Sequence, residues 1–399
     1  MSLKERLDPI LEKWTKEGNL PMISAGVVTK DGIIYLGASG SNNLNNPEGK
    51  TNLDTIFELY STTKAVTTTA AVQLIEKGLL GLDDLVENYI PEIKGIKILD
   101  GFDENDKCIF KDPVNKPTIR NLLTHTAGFS YTFFSFKYAK LYDTTGKPDP
   151  FKDSWDEILT PYIYEPGTKW HYGVNIDVLG QVIQKVSGVT LDEYFKKNIF
   201  APLGITSMTF IRKPEQVANK AIIHSREENG SLKVLPDDRP LEPEFHCGGH
   251  GLYGTIPDYL RFLLIFLNKG TSPITGKQIL KPESVENYSF ANLLPEGVFV
   301  EDSLEHSQPY YSKPVTTFSQ LPKELHTWTS SFYRTDVPLP TGRSAKSFMW
   351  CGLPNLYYWI DPTEGVAGML ATQVFPFFDE KCLEANNEFE SEVYKFLRA

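Results

Sequence analysis

The sequence predicts an α/β protein of the α+β type, in which an antiparallel sheet is drawn from the two chain ends and a mostly helical stretch is inserted between them. Three observations lead there. Two β-like runs near the N-terminus, Ser24 to Thr29 and Gly32 to Gly37, are joined by Lys30-Asp31-Gly32 in the manner of a hairpin turn. Strand character returns near the end, in Ser347 to Trp350, Leu356 to Ile360 and Val366 to Thr372. From about Leu79 to Phe200 the texture is helical, with segments at Asp83 to Tyr89, Ile119 to Thr124, Ile176 to Ser187 and Leu191 to Phe200.

The chain opens on an amphipathic helix, Lys4 to Gly18, whose Leu7, Ile10, Leu11 and Trp14 fall at helical spacing. A second helix begins at Ser61, after the apolar approach of Phe57, Leu59 and Tyr60. It continues through Ala65, Val66, Ala70, Ala71, Leu74 and Ile75, and Gly78 stops it. A charged amphipathic helix from Glu380 to Leu397 closes the chain. The expected organisation is one unit over 1–399, with an α/β subdomain (1–78 and 245–399), a helical subdomain (79–244) and Ser61 at their junction.

With 399 residues, 41% of them hydrophobic, the chain can fill a sizeable core. A net charge of −11 without any Lys/Arg cluster argues against a nucleic-acid partner. Cys108, Cys247, Cys351 and Cys382 are far apart and form no C-x-x-C pair, so they read as reduced thiols. No stretch nears 18 consecutive apolar residues, which argues against a membrane span, and the first residues lack an apolar signal core. A cytoplasmic protein is the expectation, although a chain relieved of its signal peptide would read the same from residue 1. Oligomeric state leaves no trace in the sequence.

Ser61-Thr62-Thr63-Lys64 carries the chemistry. At a helix N-terminus, free N–H groups and the dipole favour an alkoxide forming during attack, and residues i and i+3 share a face, which brings the Lys64 amine within reach of the Ser61 hydroxyl. Ser-x-x-Lys also arises by chance as an N-cap and a solvated charge, so a second feature is needed. Trp170-His171-Tyr172-Gly173-Val174-Asn175 supplies one, following the turn Glu165-Pro166-Gly167 and leading into a helix. Tyr172 on that connection can act as a base if its pKa falls, and the Lys64 ammonium beside it would favour the phenolate. Alone, it would read as a core aromatic.

Taken in order, Ser61-x-x-Lys64, Tyr172 after a Pro-Gly turn and Trp350-Cys351-Gly352 on a late strand resemble the serine β-lactamase superfamily, in its class C-like branch. Leu122 to Gly128, Asp177 to Gly180, Pro202 to Ile205 and Gly248 to Leu252 resemble it too, so the likeness covers most of the chain. It implies a β-lactamase/transpeptidase-like fold, no cofactor and no metal, and an acyl-enzyme mechanism: Ser61 attacks a carbonyl while Lys64 and Tyr172 handle its proton. By the same resemblance the oxyanion hole comprises the backbone N–H groups of Ser61 and Leu353, and Trp350, Gly352, His171 and Asn175 face the substrate.

The departures bear on the substrate. Where β-lactamases and penicillin-binding relatives carry the lysine of Lys-Thr-Gly, which helps bind a carboxylate, this chain has Trp350. The Tyr-x-Asn element is also altered, with Val174 two after Tyr172 and Asn175 one later. Both changes resemble the esterase and transesterase members, and Trp350 with Leu353 and Pro354 would favour apolar acyl or alcohol groups. The expected activity is that of a carboxylesterase or transesterase on small-molecule esters. A β-lactamase or D-amino-acid peptidase of the same mechanism is the alternative, and a silent binding protein with this fold the third reading.

Other features are weighed and set aside. Phe129, Tyr131, Phe133, Phe134, Phe136 and Tyr138 either wall an acyl pocket or simply pack, with packing preferred. Tyr310, Tyr311, Phe318, Trp328, Phe332 and Tyr333 raise the same question in a Pro-rich stretch, Leu294 to Pro340, that reads as a candidate lid. Gly249 to Gly254 spells the dinucleotide fingerprint but follows no clear strand and has no acidic residue about 20 positions on. His246, Cys247 and His250 suggest a metal, yet Gly248-Gly249 disfavours the helix that would align them. His125 reads as structural.

Overall fold

A computed structural model of the chain describes every residue except 47, 149–150, 238, 242, 301–303 and 317–321. Its centre is a seven-stranded sheet. β1 (Met22–Thr29) and β2 (Gly32–Gly40) form the N-terminal hairpin. β3 (His326–Trp328), β4 (Tyr333–Thr335), β5 (Ser347–Gly352), β6 (Leu356–Asp361) and β7 (Val366–Ala371) come from the other end. The order is β2-β1-β7-β6-β5-β4-β3, antiparallel throughout. Ser24 of β1 lies opposite Ala371 of β7, so the two chain ends are stitched together inside the sheet.

Both faces are covered. The helices that matter are α1 (Leu3–Lys16), α2 (Thr63–Glu76), α3 (Asn175–Ser187), α4 (Ile256–Leu267) and α5 (Glu380–Leu397). Successive strand residues point to opposite faces. On β6, Tyr358 meets Tyr259 of α4 with ring centres 5.5 Å apart, whereas its neighbour Trp359 meets Phe389 of α5 at 6.1 Å. α1 lies beside α5 on that second face, started by Ser2 in a capping box with Glu5.

α2 is buried on every side from Thr63 to Leu74. An all-round buried helix has no polar face, yet this one carries three consecutive threonines. Thr68 and Thr69 return their hydroxyls to the Ala65 carbonyl, and Thr67 also donates to the Gly248 carbonyl at 2.6 Å. The threonines thus tie α2 to the 248–252 segment, which carries part of the site.

The hairpin, the late strands and the closing helix fall where the sequence predicts. Asp83 to Tyr89 forms only a 3-10 turn at Val86–Asn88, because Asp84 takes the Gly81 N–H and the Tyr89 hydroxyl and folds the chain locally. Leu191 to Phe200 is an α-helix to Phe195 and a π turn from Lys196. The stretch read as a lid contributes β3 and β4, the edge of the sheet; its Trp328 and Phe332 are core residues, while Leu304, Val315 and Tyr333 border the cleft above Ser61. Phe318 lies outside the described residues.

Candidate active site

Ser61 sits in a 3-10 turn, Tyr60–Thr62, one step ahead of α2 rather than on its first residue. Tyr60 has φ +42°, a left-handed value that few side chains adopt. Its ring is clamped by Phe151 at 5.3 Å and Phe375 at 6.0 Å, with the Arg239 guanidinium 5.4 Å from its centre. Packing therefore holds the turn that presents Ser61. β5 passes directly against it. A Cβ on Gly352 would come within 2.8 Å of the Leu59 carbonyl oxygen, so the protein's own backbone already demands a glycine where β5 borders the cleft.

Lys64, in the first turn of α2, donates to Ser61 Oγ at 3.1 Å, to the Tyr131 hydroxyl at 3.0 Å and to the Gly249 carbonyl at 2.8 Å. Burial pushes its amine down to about 8, against the opposing pull of Asp177. Tyr172 closes the group. Its hydroxyl accepts from the Trp350 indole N–H at 2.9 Å and hydrogen-bonds the Ser61 side chain, while Lys64 Nζ lies 4.6 Å from its ring centre. The expected phenolate does not form at rest: burial drives Tyr172 well above the ordinary tyrosine value, and the hydrogen bonds from Ser61 and Trp350 offset only part of that.

Tyr131 is the member that sequence reasoning missed. It lies among phenylalanines as a packing residue, yet it bonds Lys64 directly and faces the Asp177 carboxylate at 3.4 Å. Its hydroxyl sets it apart from Phe129, Phe133 and Phe134 but not from Tyr138, which carries one in the same run and pairs with Thr160, so no local signal could have found it. Phe133 and Phe134 do wall the cleft, whereas Phe136 is exposed and Phe129 and Tyr138 are buried elsewhere.

The cleft above Ser61 measures about 740 Å³ with its open mouth. Trp350, Gly352 and Leu353 line it together with Tyr60, Tyr131, Phe133, Phe134, Phe151, Met349, Tyr357, Phe377 and Phe378. Among the described residues that border it, none carries a charge. His171 and Asn175, expected to face substrate, do not border it. His171 is fully buried with Nε2 2.8 Å from Ser130 Oγ, and Asn175 starts α3 with its amide 3.1 Å from His125 Nδ1. Each braces the Tyr172 connection from behind, because the chain between them turns Tyr172 alone toward β5.

The set-aside motifs also resolve physically. The Gly249 N–H donates to Asp177 at 2.7 Å, so the glycine-rich turn already holds an anion of the protein's own. His246 stacks on Phe210 and accepts the Asp192 N–H. Cys247 and His250 meet Asp153 and Glu157 within 4.8 Å, but those groups are engaged. Arg239 donates to both Asp153 oxygens, His250 lies 2.9 Å from Asp153, and Glu157 accepts three backbone N–H groups.

A family model described as Beta-lactamase matches residues 7–390. The chain belongs to that family. This beta-lactamase family member is 29% identical over 356 residues to monacolin J acid methylbutanoyltransferase of Aspergillus terreus, covering 86% of this chain and 82% of the relative. It is also 29% identical over 376 residues to a lovastatin esterase of Penicillium rubens, covering 91% of each. Among solved structures, a mutant of simvastatin synthase from Aspergillus terreus superposes with a TM-score of 0.85 at 25% identity, over 100% of this chain and 98% of that one. The family member described here is an enzyme of the serine hydrolase type, not a fold without chemistry.

Proposed function

We propose that this chain cleaves apolar carboxylic esters through an acyl-Ser61 intermediate and hands the acyl group to water or an alcohol. The observation that carries the reading is a buried amine, poised near pH 8 and 3.1 Å from a hydroxyl, at the foot of an uncharged, aromatic-walled cleft. Lys64 takes the Ser61 proton as Oγ attacks the ester carbonyl. The Ser61 and Leu353 N–H groups receive the oxyanion, where losing one such donor costs about 3 kcal/mol. Tyr172, a neutral phenol between Ser61 and Trp350, passes the proton to the leaving alkoxide, and the acceptor reverses these steps. Tyr131 helps to seat Lys64. We read the molecule as one catalytic unit, with Ser61, Lys64 and Trp350 from the α/β subdomain (1–78, 245–399) and Tyr131 and Tyr172 from the helical subdomain (79–244).

The relatives bracket this reading, since one is named a methylbutanoyltransferase and the other an esterase. Trp350, in place of a cation, disfavours the anionic donors of β-lactamases. A fluorophosphonate probe should label wild type and leave Ser61→Ala unlabelled, and short p-nitrophenyl esters should turn over faster than a chromogenic cephalosporin. Faster cephalosporin turnover at equal concentration would reverse the substrate assignment. Adding short alcohols and measuring ester against acid product separates transfer from hydrolysis.

A further inference from the structure

Behind the cleft, the Asp177 carboxylate joins three groups that reach Lys64 or its supports. One oxygen accepts the Gly249 N–H at 2.7 Å and lies 3.3 Å from His250 Nδ1, and the other lies 3.4 Å from the Tyr131 hydroxyl. The Gly249 carbonyl and the Tyr131 hydroxyl are two of the three partners of Lys64 Nζ. The fit is close: a Cβ on Gly249 would come within 2.3 Å of Asp177 Oδ2. His250 is in turn held by Asp153 at 2.9 Å and Glu157 at 3.7 Å. Nothing in the acyl-transfer steps above uses these charges, yet they are buried and lie directly behind Lys64.

We propose that Asp177, braced by His250, is a positioning residue that seats the Lys64 amine against Ser61 and sets the charge it works against. The inference rests on the acyl-enzyme reading for its catalytic meaning. Asp177 grips the Gly249 turn and the Tyr131 hydroxyl, and both hold Lys64 in place. Electrostatically, Asp177 favours the ammonium and His250 opposes it. The other titratable or charged groups packed around the pair are Asp153 and Glu157 on the 151–158 segment, Arg239, Cys247, and, beside Lys64, Tyr172, Cys351 and His125. Burial pushes Lys64 down while Asp177 is the leading influence in the other direction, and three carboxylates lift His250 to about 9 despite its burial.

Two substitutions therefore have opposite signs. Asp177→Asn keeps an acceptor for the Gly249 N–H and removes the anion, so the Lys64 proton is held less tightly and the acid limb of kcat/KM moves down by about one pH unit. His250→Gln removes a cation, so Lys64 and its neighbours hold protons more tightly and the limb moves up. The limb is read with a p-nitrophenyl ester, and the Lys64 amine is titrated directly by NMR of ¹⁵N-lysine-labelled protein, assigned with Lys64→Arg. Shifts of opposite sign in both readouts support the proposal, and one folded variant suffices to read its own sign. A limb and a titration that stay put in a folded variant, or move the same way in both, overturn it and leave the pair structural. If the titrations shift while wild type neither turns over esters nor takes up the probe, the acyl-enzyme reading fails and the seating of Lys64 stands.

Discussion

At the scale of single residues, the site works by placing an amine and a phenol in a nearly dry interior, where desolvation decides which of them is charged. The Lys64 amine, brought to about 8, must be neutral to accept the Ser61 proton, so kcat/KM for an ester should rise through about pH 8 and fall tenfold per unit well below it. A stopped-time assay from pH 5 to 10 checks this, and a limb near pH 10 would mean that Lys64 is solvated. Tyr131→Phe removes one of the three Lys64 partners and should lower kcat about tenfold, the worth of one hydrogen bond of ~1.4 kcal/mol, with the melting temperature close to wild type. Unchanged turnover would return Tyr131 to packing. Ser61, Lys64 and Tyr172 were legible because spacing and chain order carry them. Tyr131 was not, since nothing local distinguishes a tyrosine that meets a lysine 67 positions away from one that only packs.

At the scale of elements, the decisive contact is between the Tyr60–Thr62 turn and the end of β5. Gly352→Ala puts a Cβ 2.8 Å from the Leu59 carbonyl, and because a backbone oxygen cannot swing away, the strand and the turn must separate. Overpacking of this kind costs about 1–3 kcal/mol. The variant should therefore melt lower and lose kcat more than it gains KM, and a melting temperature equal to wild type would show that β5 can shift freely. Elements with strong local signals were legible: the β1–β2 hairpin has its turn residues, and α5 has its cap at Asp379 and its helical period. β3 and β4 were not, because three-residue strands in a Pro-rich stretch carry no period and exist only by pairing, β4 with β5 and β3 with β4.

At the scale of the whole molecule, buried charges knit the helical stretch to the sheet side. Glu58 on the sheet side meets Lys220 at 2.6 Å and Arg239 at 4.0 Å, and those two cations are shared with Asp237 and Asp153 of the helical stretch. Lys220→Met would leave Glu58 buried with, among the described residues, only the Arg239 guanidinium at 4.0 Å to face it, and should cost about 3 kcal/mol in denaturant unfolding. A cost under about 1 kcal/mol would mean that Arg239 or water takes over the charge of Glu58. His250 adds a pH dependence with a definite sign. Its folded value, about 9, exceeds the unfolded value near 6.5, so its contribution is complete below about pH 6.5 and is lost as pH rises through 9. Lys64 acts oppositely, with a folded value of about 8 below its unfolded 10.5, so its penalty lifts as pH rises from about 8. Thermal stability should thus decline from about pH 6.5 to 8, flatten between about 8 and 9 where the two offset, and recover from about 9 to 10.5, and His250→Gln should weaken the decline.

The sequence alone singled out Ser61, Lys64 and Tyr172 as a group and drew the sheet from both chain ends, because each is written in local spacing or chain order. Only the tertiary structure decided which groups border the cleft, how burial shifts the Lys64 amine and what stands behind it. His171 and Asn175 turned inward, Tyr131 and Asp177 turned toward Lys64, and Gly352 met a backbone oxygen. The physical reason is that desolvation and close approach depend on what lies across the fold, and no window of neighbouring residues contains that information.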